Sequence, residues 1–329
     1  MTNSPFHLLT LLILFLRALS AISRTNWFIV WISIELNLLT FIPLILLSKI
    51  NQETEGAIKY FLAQVLGSAI MLLSSISIWY PHTSIIKITL ILSLILKLGA
   101  APCHFWYPQT IISISWSNCL LLATWQKLAP LIILAYLINP ICNIIYPISI
   151  INALTGGLIG LNQTNLRRLL AYASITHMAW ILGPLRIKCP CLTSTYFIFY
   201  CIMTTPIFSI LIINHQTTPN QLNKLTPMTL TLLSILLLSC AGIPPITGFF
   251  PKWILIQWFI WKSNIIILLF LLIGSYINLY FYLILAFNSL SSPSKPTSEL
   301  SNPIYIIALS TSALGLLLSL LSYALTLLY

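Results

Sequence analysis

Four ionisable side chains lie well inside long apolar runs of this 329-residue sequence: Glu35, Lys97, Lys127 and Lys252. A carboxylate and three amines placed there suit the movement of protons, because each group can hold a proton and give it up again. Left facing lipid, each would cost about 2.5–3.5 kcal/mol, and the four together about 10–14 kcal/mol, comparable with the stability of a whole domain. They must face the interior of a helix bundle, pair with one another or sit in water. Pairing alone fails on counting, since three lysines would share one intramembrane glutamate. Lysine also cannot comfortably reach the interface from the midplane of a membrane. A buried lysine poised between its charged and neutral forms takes up and releases a proton. A proton relay is therefore the expected role, with a set of structural ion pairs as the rival reading.

Histidine adds to this set. His177, within Ser174-Ile175-Thr176-His177-Met178-Ala179-Trp180, lies mid-span among hydroxyls and could bridge protons between lysines, its reference pKa near 6.5 suiting transfer; the alternative is a hydrogen-bonded core histidine. His104 follows a helix break close to Lys97 and is a possible auxiliary, as is Lys59. Two breaks accompany the lysines. Leu98-Gly99-Ala100-Ala101-Pro102 follows Lys97, and Ala241-Gly242-Ile243-Pro244-Pro245 precedes Lys252. Proline removes a backbone donor and clashes with the preceding turn, so each segment marks a discontinuous helix. Carbonyls and amides freed at a break need water or a polar partner, and hydrated cavities form there.

The elements that must carry these groups follow from composition. Lysine and arginine number 15 and acids 4, all of them Glu, so 6% of the chain is charged, against 59% hydrophobic residues and a mean hydropathy of +0.99. A soluble globule of this size needs a charged shell that so few groups cannot supply. The same figures exclude a disordered chain, a collagen-like fibre and a disulfide-stapled secreted module. The class left is an all-α polytopic membrane protein. The net charge of +11 does not imply a nucleic-acid partner, because basic residues are scattered singly and Arg167-Arg168 is the one adjacent pair.

Windows of about 20 apolar residues give eleven spans, near 5–22, 26–48, 57–79, 84–112, 117–138, 144–162, 167–184, 192–214, 227–260, 264–288 and 303–328. The fourth and ninth are the long, broken ones. Both share a small-then-proline break and a downstream aromatic cluster with a basic group: Cys103-His104-Phe105-Trp106 in one, Phe249-Phe250-Pro251-Lys252-Trp253 in the other. Five helices apart, they suggest two five-helix repeats, 5–138 and 144–288, with a closing helix at 303–328. An odd number of helices per repeat inverts the second repeat in the membrane, as in many ion-coupled transporters. Loops are short, so the chain is expected to form a single membrane domain over 1–329. Loop and helix-end lysines and arginines divide six against five between the two faces, and the positive-inside rule gives no orientation. The n-region before Pro5 has no Lys or Arg, unlike a cleaved signal.

Other chemistries find no support. Gly156-Gly157-Leu158-Ile159-Gly160 lacks the order, the preceding strand and the downstream acid of a dinucleotide site, and reads as close helix packing. Cys189-Pro190-Cys191 has no second cysteine pair or nearby His to complete a metal site. The five histidines are spread over different depths, which argues against haem.

Several longer motifs, in order, resemble one family. Trp27-Phe28-Ile29-Val30-Trp31-Ile32-Ser33-Ile34-Glu35-Leu36-Asn37 is followed by Glu55-Gly56-Ala57-Ile58-Lys59-Tyr60-Phe61-Leu62-Ala63-Gln64. Then come Leu96-Lys97-Leu98-Gly99 with Pro102-Cys103-His104-Phe105-Trp106, and Thr124-Trp125-Gln126-Lys127-Leu128-Ala129-Pro130. Leu166-Arg167-Arg168-Leu169-Leu170-Ala171-Tyr172-Ala173-Ser174-Ile175, His177 and the Gly242–Trp253 segment complete the pattern. Together they resemble the chain 2 family of NADH–ubiquinone oxidoreductase, antiporter-like membrane subunits of mitochondrial respiratory complex I. The resemblance runs from about residue 26 to 260; Cys103 stands where Phe is commoner, and the last 70 residues match only in hydropathy.

The resemblance implies the antiporter-like fold in its short, eleven-helix form, with the proton path falling on Glu35, Lys97, Lys127 and Lys252 and with His177 as bridge. It implies a core subunit of a proton-translocating complex in the mitochondrial inner membrane, beside other antiporter-like subunits and lipids. NADH, flavin, iron–sulfur clusters and ubiquinone are expected on other subunits, with no cofactor or metal on this chain. Redox energy released elsewhere would break a Glu35–Lys97 pair and send a proton towards Lys127 and Lys252. The rivals are a stand-alone cation/proton antiporter subunit and a purely structural membrane-arm subunit.

Overall fold

In lipid a backbone that is not part of a closed barrel satisfies its polar groups only as a helix. The computed structural model describes residues 5–47, 50–77, 83–137, 142–186, 189–214, 216–244 and 246–291, and among them it is helical with no strand. The α-helices are α1 (Pro5–Ser23), α2 (Trp27–Leu46), α3 (Asn51–Ser77), α4 (Thr83–Leu98), α5 (Trp106–Ser113), α6 (Trp116–Ala123) and α7 (Trp125–Leu137). They continue as α8 (Cys142–Gly160), α9 (Leu166–Arg186), α10 (Pro190–Asn214), α11 (Pro227–Ala241), α12 (Phe249–Trp261) and α13 (Ile265–Ser291), with a short 3-10 helix at Pro219–Lys224. Six stretches among the described residues are long and apolar enough to cross a membrane, with Trp116–Leu137, α6 and α7 together, as one of them. The expected closing helix at 303–328, and Pro245, lie outside the described residues.

Both expected breaks are present. The span 84–112 is divided into α4 and α5, and 227–260 into α11 and α12. Gly99 (φ 67°) and Gly242 (φ 84°) turn the chain out of the helix in the left-handed region, where a side chain is strained. A third interruption was not expected: the span 117–138 is divided at Thr124 into α6 and α7. Its cause is local. The Thr124 hydroxyl and amide both donate to the Leu120 carbonyl (2.7 and 3.0 Å), and the Lys127 amide tightens onto Thr124 O at 3.3 Å. Pro130, within α7, then has no N–H to offer the carbonyl four residues back. A second difference is the start of α3, at Asn51 rather than 57, because the polar first turns with Glu53 and Glu55 extend the helix beyond the apolar run.

The chain forms two compact units, Met1–Ile148 and Ser149–Tyr329. In the first, α2 packs on α1 and α3, and α4 on α3 and α7. The Trp31 indole N–H donates to Ser68 O (3.1 Å), and the Asn118 amide to Leu44 O (3.0 Å). Such interhelical polar ties hold helices where apolar burial gives no preference over lipid. In the second unit α9 packs on α10 and α13, and α11 on α10 and α13. Gly156 of α8 lies against Thr176 of α9, whose hydroxyl accepts from the Asn278 amide of α13.

Candidate functional site

Within the first unit, α2, α3, α4, α5, α6 and α7 enclose a cavity lined by Asn37, Tyr60, Gln64, Lys97, Gln126 and Lys127, among others. Lys97 is 4% and Lys127 2% exposed. Lys97 stands in the last turn of α4, where the helix's unpaired carbonyls favour a cation. Those carbonyls are already taken. The Trp106 indole N–H donates to Leu96 O (3.0 Å), the Gln64 amide to Lys97 O (3.2 Å), and the Ala100 amide to Ile95 O (3.2 Å). Lys97 Nζ is buried with no hydrogen-bond partner. Lys127 Nζ sits over the Tyr107 ring, 4.4 Å from its centre, a cation–π contact.

Glu35 is half-buried on α2, beside the face that carries Asn37 into the cavity, and its Oε2 is buried without a partner. It is close enough to act electrostatically on Lys97 and Tyr60 but makes no hydrogen bond to Lys97. His104 is buried at the α4–α5 break, stacked on Phe105 (4.4 Å) with Nδ1 3.3 Å from Pro102 O, and does not line the cavity. Lys59 faces outward and pairs with Glu55 at 2.5 Å, away from the buried lysines' cavity.

In the second unit Lys252, 7% exposed, lies in the first turn of α12 and reaches back to the end of α11. Its Nζ donates to Ala241 O at 2.5 Å and Cys240 O at 3.4 Å. His177 is buried on α9, with Nδ1 3.1 Å from the Tyr196 hydroxyl and the Tyr200 ring 5.4 Å away. His177, Tyr200, Cys240 and Tyr282 line a second, smaller cavity. Cys240 thus touches both sets: its carbonyl accepts from Lys252, and it shares a cavity with His177.

The structure therefore gathers Lys97 and Lys127 around one cavity, places Glu35 within electrostatic reach, and brings Lys252 and His177 each next to Cys240. Sequence reasoning missed the neutral groups. Asn37, Gln126, Tyr60 and Gln64 line the first cavity; Tyr200, Cys240 and Tyr282 share the second with His177, Tyr196 meets His177 through its hydroxyl, and the Cys240 carbonyl meets Lys252. The available signal was an amide or phenol in the middle of an apolar span, with Tyr196 and Tyr200 four apart on one face of α10.

A bundle of long apolar helices, some broken, with buried lysines beside the breaks defines a polytopic membrane protein. The family model described as "NADH:quinone oxidoreductase/Mrp antiporter, TM" matches residues 24–84 and 79–278. NADH-ubiquinone oxidoreductase chain 2 of Lumbricus terrestris is 43% identical over 95% of this chain and 97% of its own length. The protein of the same name in Bos taurus is 36% identical over 87% and 86%. The chain belongs to the NADH-ubiquinone oxidoreductase chain 2 family. The fold is shared with a chain of respiratory complex I from Thermus thermophilus (TM-score 0.87, 23% identity, covering 98% of this chain and 79% of that one). It is shared also with a chain of the Mrp complex from Dietzia sp. DQ12-45-1b (TM-score 0.82, 14% identity, 96% and 75%).

Proposed function

We propose that this chain is a core membrane-arm subunit of respiratory NADH:ubiquinone oxidoreductase in the mitochondrial inner membrane, and that it carries protons through Glu35, Lys97, Lys127, His177 and Lys252. One observation carries the reading: three lysines, each at least nine-tenths buried, stand beside interruptions of apolar helices, at a depth where a charge with no task is costly. The family's name supports membership of the complex, and the antiporter-like fold supports ion movement. The finer architecture belongs to the same proposal: eleven spans, two inverted repeats at 5–138 and 144–288, and a closing helix at 303–328. Redox chemistry takes place on other subunits, which carry NADH, flavin, iron–sulfur clusters and ubiquinone, while this chain binds none of them and contacts neighbouring antiporter-like subunits and lipids.

In this reading the proton moves by changes in charge pairing. While Glu35 is ionised nearby, Lys97 keeps its proton; a shift of Glu35 away makes that charge costly, and the proton leaves towards Lys127. The test is a complex carrying Lys127→Met, assayed for protons pumped per electron in sealed vesicles. Loss of pumping is expected, and full pumping would sink the relay. Cation exchange by the chain without NADH would favour an antiporter subunit instead. Pumping that survives neutralisation of Glu35 and all three lysines would leave a structural subunit.

A further inference from the structure

The cavity between Lys97 and Lys127 contains an incomplete amide pair. Asn37 Nδ2 donates to Gln126 Oε1 at 2.8 Å, joining α2 to α7. Asn37 Oδ1 and Gln126 Nε2 are both buried with no partner, and so is Lys97 Nζ. Exchanging oxygen and nitrogen in both amides rebuilds the same bond in reverse and again leaves one acceptor and one donor over. Turning one amide alone would set two donors or two acceptors against each other, so in either bonded arrangement one acceptor and one donor are left over. Buried donors and acceptors without partners are expensive, and the large majority in folded proteins are satisfied by protein or water. The cavity these residues line offers about 20 Å³ of room for the centre of a water molecule, which is what one ordered water needs. Such a water also needs two to four polar partners. The amide oxygen, the amide nitrogen and the Lys97 ammonium supply three.

We propose that Asn37 and Gln126 hold one ordered water between Lys97 and Lys127 and act as positioning residues for proton transfer, an inference that rests on the relay reading above. The amides take no proton themselves. They fix the water so that one lone pair faces Lys97 Nζ and one O–H is free for Lys127 Nζ. In the transfer an N–H bond of protonated Lys97 breaks and its proton joins the water oxygen. A proton of that water in turn bonds to the lone pair of neutral Lys127. Lys97 ends neutral, Lys127 ends charged, and the water is regenerated.

The test uses the assembled complex. Asn37→Leu and Gln126→Met keep approximate volume while removing the amides, and Lys127→Met serves as control. Each amide variant is expected to lower NADH-driven proton pumping roughly tenfold, the rate equivalent of one lost buried hydrogen bond, with assembly on native gels unchanged. Each should also raise the solvent deuterium isotope effect on turnover, which a purely structural role would leave alone. The exchange variant Asn37→Gln with Gln126→Asn, which keeps one donor and one acceptor, is expected to recover most of the loss. Parental pumping and isotope effect in both amide variants, alongside a dead Lys127→Met, would overturn the water site and spare the relay. Parental pumping in Lys127→Met would overturn the relay itself. Should the amide variants fail to assemble, density of the unmodified complex decides: a water bonded to both amides supports the site, and its absence overturns it.

Discussion

The two helix breaks use their lysines in opposite ways. At the first, between α4 and α5, neutral side chains cap the helix end: Trp106 and Gln64 take the carbonyls of Leu96 and Lys97. Lys97, on the first half-helix, is left with an ammonium that bonds to nothing in the protein and lines a cavity. At the second, between α11 and α12, the lysine is the cap. Lys252 sits on the second half-helix and reaches back to the carbonyls of Ala241 and Cys240. A cation in the first turn of α12 opposes that helix's dipole, but the same ammonium lies at the carbonyl end of α11, where a cation is favoured. Two segments alike in sequence thus hold one lysine whose ammonium the protein leaves unbonded and one whose charge also completes the backbone.

Removing each ammonium separates these roles and gives the largest effect. Both Lys97→Met and Lys252→Met are expected to abolish proton pumping. Only Lys252→Met also strips buried carbonyls of their donor, so it is expected to destabilise the complex by about 1–3 kcal/mol, the cost of an unsatisfied buried group. Lys97→Met removes an ammonium that donates no hydrogen bond within the protein, so it strips no buried carbonyl and is expected to destabilise the complex less than Lys252→Met does. Melting of the detergent-extracted complex, followed alongside pumping in vesicles, measures both. Equal destabilisation by the two variants would erase the distinction between the breaks.

How far this contrast could be read beforehand depends on what a sequence displays. The charges and breaks were legible because both violate the rules of an apolar helix: a lysine costs free energy in lipid, and a proline or left-handed glycine cannot continue the ladder. Ten expected spans each contain described helix, and both long ones divide where proposed. The capping was not legible. Whether a carbonyl at Leu96 is met by Trp106, or one at Ala241 by Lys252, depends on where two half-helices come to rest. The Thr124 interruption went unseen because threonine is ordinary within membrane helices, and its hydroxyl bond to Leu120 O acts through geometry alone. Asn37 and Gln126 were passed over for a related reason: a search by charge ignores neutral amides.

The glycines at the breaks give a smaller effect. A methyl group at Gly99 would stand 2.9 Å from Tyr107 Cβ, and one at Gly242 2.8 Å from Lys252 Nζ. Either alanine carries about 1–2 kcal/mol of left-handed backbone strain, so the difference lies in what must move. Tyr107 Cβ is tied to its backbone and yields little, whereas the ammonium is the free end of a flexible chain. Gly99→Ala is expected to lower the melting temperature more than Gly242→Ala does. Gly242→Ala should instead act on pumping, by shifting the Lys252 ammonium while it still reaches the carbonyls it caps. The reverse order in the melting temperatures would show that the first break is the more yielding one.

The smallest expected effect falls on the lysine that belongs to neither break. Lys59 lies one helical turn from Glu55 on α3, and the pair is 2.5 Å apart with side chains 41% and 64% exposed. An exposed pair at this spacing contributes about 0.3–0.5 kcal/mol, and salt screens it further. Lys59 does not line the cavity that holds Lys97 and Lys127, and the path proposed above runs without it. Lys59→Gln and Glu55→Gln are each expected to leave pumping per electron at the parental value and to shift melting by no more than that small contribution. A severe pumping defect in Lys59→Gln with normal assembly would mean that protons enter along the outer face of α3. The contrast between the two breaks would then describe only the inner part of a longer path.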